Sequence, residues 1–217
     1  MLNLVHTVYE PKGDGPHPTI FAMHGRGANA QDLLGLAPHV SGGRFLVICP
    51  QAPLEIPIGP GATGYAWFPS AGPGNTDVTA VLSARDELEE FLSACLTRYA
   101  IDSARLVALG FSQGGVMAYG LALAQPERFA ALAALSTYLP ASLLDQRPPP
   151  TPAVTSLPTL VQHGSADGMI SLDRARESVE TLKQWKVPLT FREYPMGHEI
   201  NAQSLGDLSN WLDDKVR

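Results

Sequence analysis

Short apolar runs alternate along the chain with longer stretches in which apolar residues recur every three or four positions. The short runs are Leu4–Tyr9, Thr19–Met23, Arg44–Cys49, Arg105–Leu109, Ala130–Leu135, Leu157–Gln162 and Leu189–Tyr194. Several, such as IFAM and LVAL, are apolar without a break, the pattern of strands covered on both faces. Leu4–Tyr9 reads as an edge strand. Helical periodicity is clearest over Thr76–Tyr99, where Val78, Val81, Leu82, Leu88, Phe91, Leu92, Cys95 and Tyr99 share one face. Asp77 falls in its first turn and Arg98 in its last, complementing the helix dipole. Val116–Ala124 is a second helical stretch. Leu172–Trp185 repeats the pattern through Leu172, Ala175, Val179 and Leu182, with Ser171 as its cap. Ser204–Val216 reads as a C-terminal helix.

Strands alternating with helices predict right-handed βαβ units. The expected architecture is α/β: one domain over residues 1–217, with a mostly parallel central sheet and helices on both faces. Two stretches carry neither period. Gln51–Gly74 holds five glycines and five prolines, and it is longer than a connecting loop without a task. Arg147–Pro158 is proline-rich and reads as a stiff surface connection. No insertion after Ala130–Leu135 is long enough for a large lid domain.

Composition narrows the function classes. The 217 residues carry a formal charge of −6 with no Lys/Arg cluster, which argues against nucleic acid and anionic membrane surfaces as partners. The N-terminal MLNLVHTVYE lacks the basic and apolar regions of a signal peptide, and no apolar run approaches a membrane span. A cytoplasmic location is expected, with no stable membrane insertion. Cys49 and Cys95 then read as reduced, buried thiols.

Candidate chemistry centres on LGFSQGGV, Leu109–Val116. Its G-x-S-x-G alone is weak, since a tight glycine-rich bend looks the same. The flanks decide: a strand precedes Ser112 and a helix follows it, the setting of a nucleophile held on a sharp turn. A serine needs a base, and the base needs an orienting carboxylate. Both are expected on loops at the strand ends of the same sheet edge. Asp167, in HGSADGMI after the sixth run, and His198, in YPMGHEI after the seventh, are the candidates. Asp173 competes with Asp167 but falls inside a helical pattern. The order Ser112, Asp167, His198 is that of an α/β-hydrolase. The backbone N–H groups of Gln113 and of Arg26, in MHGRGAN after the second run, are the candidate oxyanion hole. His24 and His163 read as loop-bracing residues. Trp67, Phe68, Ile56, Ile58 and Met169 are the candidate acyl-binding residues, with a core role the competing reading.

TIFAMHGRGAN, GYAWFP, GFSQGGVMAYGLAL, STYLP, VQHGSADGMI and YPMGHEI resemble, in order and over about Thr19–Trp211, the phospholipase/carboxylesterase family of α/β hydrolases. The resemblance implies Ser112, Asp167 and His198 as a triad and the Arg26 and Gln113 amides as the oxyanion hole. It implies hydrolysis of small-molecule carboxylic esters or thioesters without metal or cofactor. Members are often dimers, and no stretch here identifies a homodimer interface. The family often has Leu where Arg26 stands, and Asp where Pro69 follows Trp67-Phe68. Ser136-Thr137-Tyr138-Leu139-Pro140 replaces a Ser-Gly-Tyr-Leu-Pro. These departures bear on substrate choice. An Arg26 side chain at the mouth would favour acidic substrates or pair with a surface carboxylate. The expected activity is a serine carboxylesterase for short- to medium-chain esters. Acyl thioesterase and lysophospholipase are alternatives with the same triad, and a non-catalytic binding protein on a hydrolase scaffold is the third reading. An ordinary histidine base predicts that the rate falls below about pH 6.5.

Overall fold

The seven short runs join in one sheet because each presents alternate residues to two apolar layers. The computed structural model describes residues 2–70, 76–144 and 151–217, with the side chains of Ser142 and Leu144 left aside. In chain order the strands are β1 (His6–Tyr9), β2 (His17–Met23), β3 (Leu46–Pro50), β4 (Leu54–Gly59), β5 (Ala62–Ala66), β6 (Ile101–Phe111), β7 (Ala131–Leu135), β8 (Thr159–Gly164) and β9 (Leu189–Tyr194). The helices are α1 (Val78–Arg98), α2 (Gln113–Ala124), the one-turn α3 (Ala141–Leu144), α4 (Leu172–Gln184) and α5 (Ala202–Lys215). The main sheet has the order β1-β3-β2-β6-β7-β8-β9, and β4 and β5 form a separate hairpin. Among the described residues of the main sheet only β1 runs antiparallel to its neighbour, and the β4–β5 pair is antiparallel as well.

The period-2 alternation of the strands assigns the layers. Phe21, Met23, Leu106 and Ala108 pack with α1, α2 and α4 on one face. Ile20, Ala22, Val107 and Leu109 pack on the other, against α5 and the residues around the 3-10 segment Leu34–His39. Helix α2 has apolar or small residues on every side after Gln113 and is buried from Gln113 to Leu123. The chain winds from β2 out to β3 and then returns to β6, on the other side of β2, before winding the opposite way. The carboxyl ends of β2 and β6 therefore bound the crevice where doubly wound sheets bind ligands.

Element boundaries differ from the sequence expectation where side chains compete with periodicity. Asp77 is the N-cap of α1 rather than a first-turn residue, accepting from the Ala80 N–H at 3.1 Å. Ser171 occupies the N-cap of α4 but makes no capping hydrogen bond with its side chain. Helix α5 starts at Ala202, because Asn201 and Ser204 form a reciprocal capping box. Strand β6 begins at Ile101, four residues before its apolar run. Gln51–Gly74 is not wholly irregular: it contains the β4–β5 hairpin, although 71–74 lie outside the described residues. Of Arg147–Pro158, the described part carries a 3-10 turn at Val154–Ser156, and 147–150 lie outside.

Helix α2 approaches β6 and β2 closely enough to exclude side chains at its start. A Cβ on Gly114 would collide with the backbone of Met23 and His24, and one on Gly110 with the backbone of Gly114 and Gly115. Further along the helix, a Cβ on Gly120 would meet the aliphatic part of Arg85 at 3.8 Å, an ordinary contact. Gly114→Ala should therefore destabilise the protein by about 3 kcal/mol or more. Gly120→Ala should stay within about 1 kcal/mol of wild type, on the stabilising side. Urea unfolding midpoints of the two variants measure the contrast.

Candidate active site

Strand β6 ends at Phe111, and the chain must reverse at once to start α2. Ser112 makes that turn with φ 54° and ψ −121°, outside the usual regions for a residue with a Cβ. The turn is pinned on both sides. The Ser112 N–H donates to the Leu135 carbonyl at 2.9 Å. The Ser112 carbonyl accepts from the Thr137 hydroxyl at 2.7 Å and from the Gly115 N–H at 2.9 Å. The hydroxyl is thereby lifted out of the sheet edge towards the loops after β8 and β9.

His198, four residues past β9, places Nε2 at 2.9 Å from the Ser112 Oγ. Its Nδ1 lies 2.7 Å from the Asp167 Oδ2. A carboxylate only accepts, so Nδ1 carries the proton and Nε2 turns its lone pair to the serine. Phe111 packs against the imidazole with ring centroids 4.9 Å apart. The Asp167 side chain has no solvent exposure and that of His198 keeps 19 %. The Met169 and Ile170 N–H groups donate to the Asp167 Oδ1 at 2.8 and 2.9 Å. Burial pushes the Asp167 carboxyl up. The Ile170 amide, His198 and the Met169 amide together outweigh it and hold the group below its ordinary range. His163, fully buried, approaches the same carboxylate at 3.4 Å while its Nε2–H donates to the Ile170 carbonyl at 2.9 Å. Asp173 lies apart, exposed on α4 within 3.6 Å of Arg176.

The loop after β2 faces this row from across the crevice. Neither the Arg26 N–H nor the Gln113 N–H donates a hydrogen bond among the described residues. Gln113 begins α2, so its N–H is one of the helix's unpaired first-turn donors. The β4–β5 hairpin supports the other loop: the Gly27 N–H donates to the Tyr65 carbonyl at 2.8 Å, and the Tyr65 N–H to the Ala28 carbonyl at 3.0 Å. The Arg26 side chain is exposed and makes no ion pair among the described residues.

A cavity of about 340 Å³ opens between the loops. Ser112, Gln113, His198, Gly25 and Arg26 border it, together with Phe68, Pro69, Val116, Tyr138, Met169 and Ile170. The Tyr138 hydroxyl pairs with the Thr76 hydroxyl at 2.8 Å, and the Arg174 guanidinium stacks on the Tyr138 ring at 3.4 Å. Asp32 also borders the cavity, and desolvation pushes its carboxyl above the ordinary range. Of the expected acyl-binding residues, Phe68 and the exposed Met169 lie on the wall. Trp67, Ile56 and Ile58 do not. Trp67 is buried in the core, donating its Nε1–H to the His24 carbonyl at 2.8 Å. Ile56 and Ile58 are carried outward on β4, with Ile58 54 % exposed over Gly27. Val116, Thr76, Ile170 and Tyr138 also lie on the wall without having been named for it. Val116, Ile170 and Tyr138 stand in the motifs GFSQGGV, HGSADGMI and STYLP, but nothing in those motifs marks a wall position; Thr76 stands in none.

Cys49 and Cys95 are free and buried, and burial pushes each thiol up to about 12. Both stay protonated near neutrality, so neither competes with Ser112 as a nucleophile. Among the described residues no cluster of His, Cys, Asp and Glu is placed to hold a metal ion, and no helix is long and apolar enough to cross a membrane.

Comparison with known proteins gives a consistent result. Residues 5–216 match the model of the Phospholipase/Carboxylesterase family. The chain is 29 % identical to "Acyl-protein thioesterase 1" of Mycosarcoma maydis, over 94 % of this chain and 93 % of that protein. It is 30 % identical to "Lysophospholipase-like protein 1" of Mus musculus, over 97 % and 92 %. The fold superposes on the Bacillus cereus carboxylesterase with a TM-score of 0.82 at 21 % identity, over 98 % of this chain and 95 % of that one.

The Asp167 carboxyl titrates lower in the folded chain than in the unfolded one, where an aspartate has a pKa of about 4. The unfolded state therefore takes up its proton first as pH falls. The stability this group contributes is fully present above about pH 4 and is lost as pH falls through the lower folded value. Asp167→Asn should lower the urea midpoint at pH 7, and the gap to wild type should narrow towards pH 3. A gap of constant size would mean that the carboxylate's charge is not what stabilises the loop.

Proposed function

The chain belongs to the phospholipase/carboxylesterase family of α/β hydrolases, and from that membership and the crevice geometry we propose that it is a serine carboxylesterase acting on short- to medium-chain carboxylic esters. The observation that carries the reading is the unbroken line Ser112 Oγ to His198 Nε2 at 2.9 Å and His198 Nδ1 to Asp167 Oδ2 at 2.7 Å.

His198 takes the Ser112 proton as the oxygen attacks the ester carbonyl carbon. Asp167 holds the imidazole in the tautomer with Nδ1 protonated and stabilises the imidazolium that forms. The carbonyl electrons move onto oxygen, and the tetrahedral oxyanion accepts from the Arg26 and Gln113 N–H groups. The C–O bond to the alcohol then breaks, with His198 returning the proton to the leaving oxygen. Water, deprotonated by His198, repeats the sequence on the acyl-serine and releases the acid. No step calls on a metal or cofactor.

Substrate size follows from the cavity. At about 340 Å³ it lies at the small end of ligand sites, and it is bordered by the exposed Met169 on one side. Phe68, Val116 and Ile170 give it apolar wall for a short acyl chain, and the Thr76–Tyr138 hydroxyl pair adds a polar stretch. A thioester would be handled by the same groups with sulfur as the leaving atom. That second reading is supported by the likeness to a protein named as an acyl-protein thioesterase. A lysophospholipase reading has the same kind of support.

Hydrolysis of p-nitrophenyl esters from C2 to C12 tests the proposal. The expected optimum falls at the short end, and Ser112→Ala should lower kcat by on the order of 10⁴-fold or more at every length. A Ser112→Ala variant with wild-type rate would remove the nucleophile assignment, and an optimum at C12 would favour the long-acyl alternatives.

A further inference from the structure

His24 is 1 % exposed and stands at the end of β2, outside the Ser112–His198–Asp167 line. Its hydrogen bonds fix its chemical form. The Ala52 N–H donates to Nε2 at 3.1 Å, so Nε2 must present a lone pair. Nδ1 lies 2.7 Å from the Gly25 carbonyl oxygen, which only accepts, so Nδ1 carries the proton. The ring is therefore a neutral imidazole with both nitrogens engaged.

The acceptor of that Nδ1–H decides what the ring controls. The Gly25 carbonyl and the Arg26 N–H belong to one peptide unit, which is planar and trans, so the two groups point in opposite directions. A donor that holds the Gly25 oxygen on the core side keeps the Arg26 hydrogen on the crevice side. The Ala28 N–H at 3.2 Å is a second donor to the same oxygen. Rotation of this peptide would break both bonds and swing a carbonyl towards the place where negative charge develops. The ring itself is anchored. Trp67 packs against it with centroids 5.2 Å apart and donates its Nε1–H to the His24 carbonyl. The Trp67 N–H donates to the Gln113 Oε1 at 2.8 Å, and the Gln113 Nε2 donates to the Phe68 carbonyl at 2.7 Å. One buried network thus ties the two residues whose N–H groups face the oxyanion position.

Resting on the hydrolase reading above, we propose that His24 is a positioning residue that locks the Gly25–Arg26 peptide, so that the Arg26 N–H is aimed at the oxyanion before substrate arrives.

The test compares two polar replacements of similar burial. In His24→Asn the side-chain amide reaches the Nδ1 position and can still donate to the Gly25 oxygen. In His24→Gln the amide reaches the Nε2 position and leaves that oxygen with only the Ala28 donor. On a p-nitrophenyl ester, His24→Gln should lose about 10- to 100-fold in kcat, part of the loss seen when an oxyanion donor is deleted. Its KM should change little. His24→Asn should recover most of that rate. Binding of an alkyl boronic acid, which forms a tetrahedral anion on the serine, should weaken in parallel with kcat. Trp67→Phe, which removes the donor to the His24 carbonyl, should show a smaller loss of the same kind and serves if His24→Gln does not fold. Equal rates in the Asn and Gln variants, or loss in Asn with recovery in Gln, would overturn the proposal, because the Ala52 bond or general packing would then be what matters. Ser112→Ala assayed beside them separates the two readings. If it stays active, the hydrolase reading fails. If it is inactive and Asn and Gln behave alike, only the role of His24 fails.

Discussion

The reversal of the chain at Ser112 is the constraint to which the rest of the molecule is fitted. A non-glycine residue at φ 54° and ψ −121° costs on the order of 1–3 kcal/mol, so the surroundings must determine it. They do so from three directions. Strand β6 arrives in the middle of the sheet, paired on both sides. Helix α2 leaves it buried up to Leu123, with Gly110 and Gly114 allowing backbone against backbone. Thr137 and Leu135 hold the peptide groups on either side of the serine. An unbroken apolar helix and small residues at its start are what this geometry requires. A more amphipathic α2 would leave the turn at the surface without the packing that offsets its strain.

The electrostatics of the crevice follow the same economy of freedom. The Asp167 carboxylate has no solvent exposure, yet each oxygen has donors: two backbone N–H groups on one, His198 with His163 nearby on the other. That satisfaction outweighs desolvation and keeps the charge in place beside the imidazole. Three histidines serve here in two settings. His198 is partly exposed and faces the serine. His163 and His24 are buried, and each donates to a backbone carbonyl, while His24 also accepts from the Ala52 N–H. Imidazole suits such positions because it offers a donor and an acceptor on a rigid ring, with tautomers that neighbouring groups can select.

How much of this was legible in the sequence depended on where the signal came from. β9 occupies Leu189–Tyr194, the span its apolar run predicts, and α1 and α4 lie within two residues of their periodic stretches. The residues at the strand ends could be named because a parallel sheet gathers those ends on one edge. The β4–β5 hairpin was hidden because its residues are largely exposed, and Pro57 and Gly64 interrupt the strand pattern. Its one available signal was Gly59-Pro60-Gly61 between β-forming residues. Cavity walls are set by tertiary packing, and periodicity carries no information on them. Trp67 and Phe68 are adjacent in sequence and both buried, yet only Phe68 borders the cavity. Ser171 had the right residue type for a cap, but its hydroxyl is not used.

The wide spacing of the site along the chain has a consequence for the protein's own synthesis. The site collects residues 25–26, 112–113, 167 and 198, and the last of these follows β9, the strand at the far edge of the sheet. A ribosome delivers these pieces in that order, over tens of seconds at most. On the proposed reading, a growing chain contains Ser112 well before it contains the base that activates it. On that reading the nascent chain lacks the means to attack an ester, and reactivity arises only once the loop after β9 has brought His198 to Ser112.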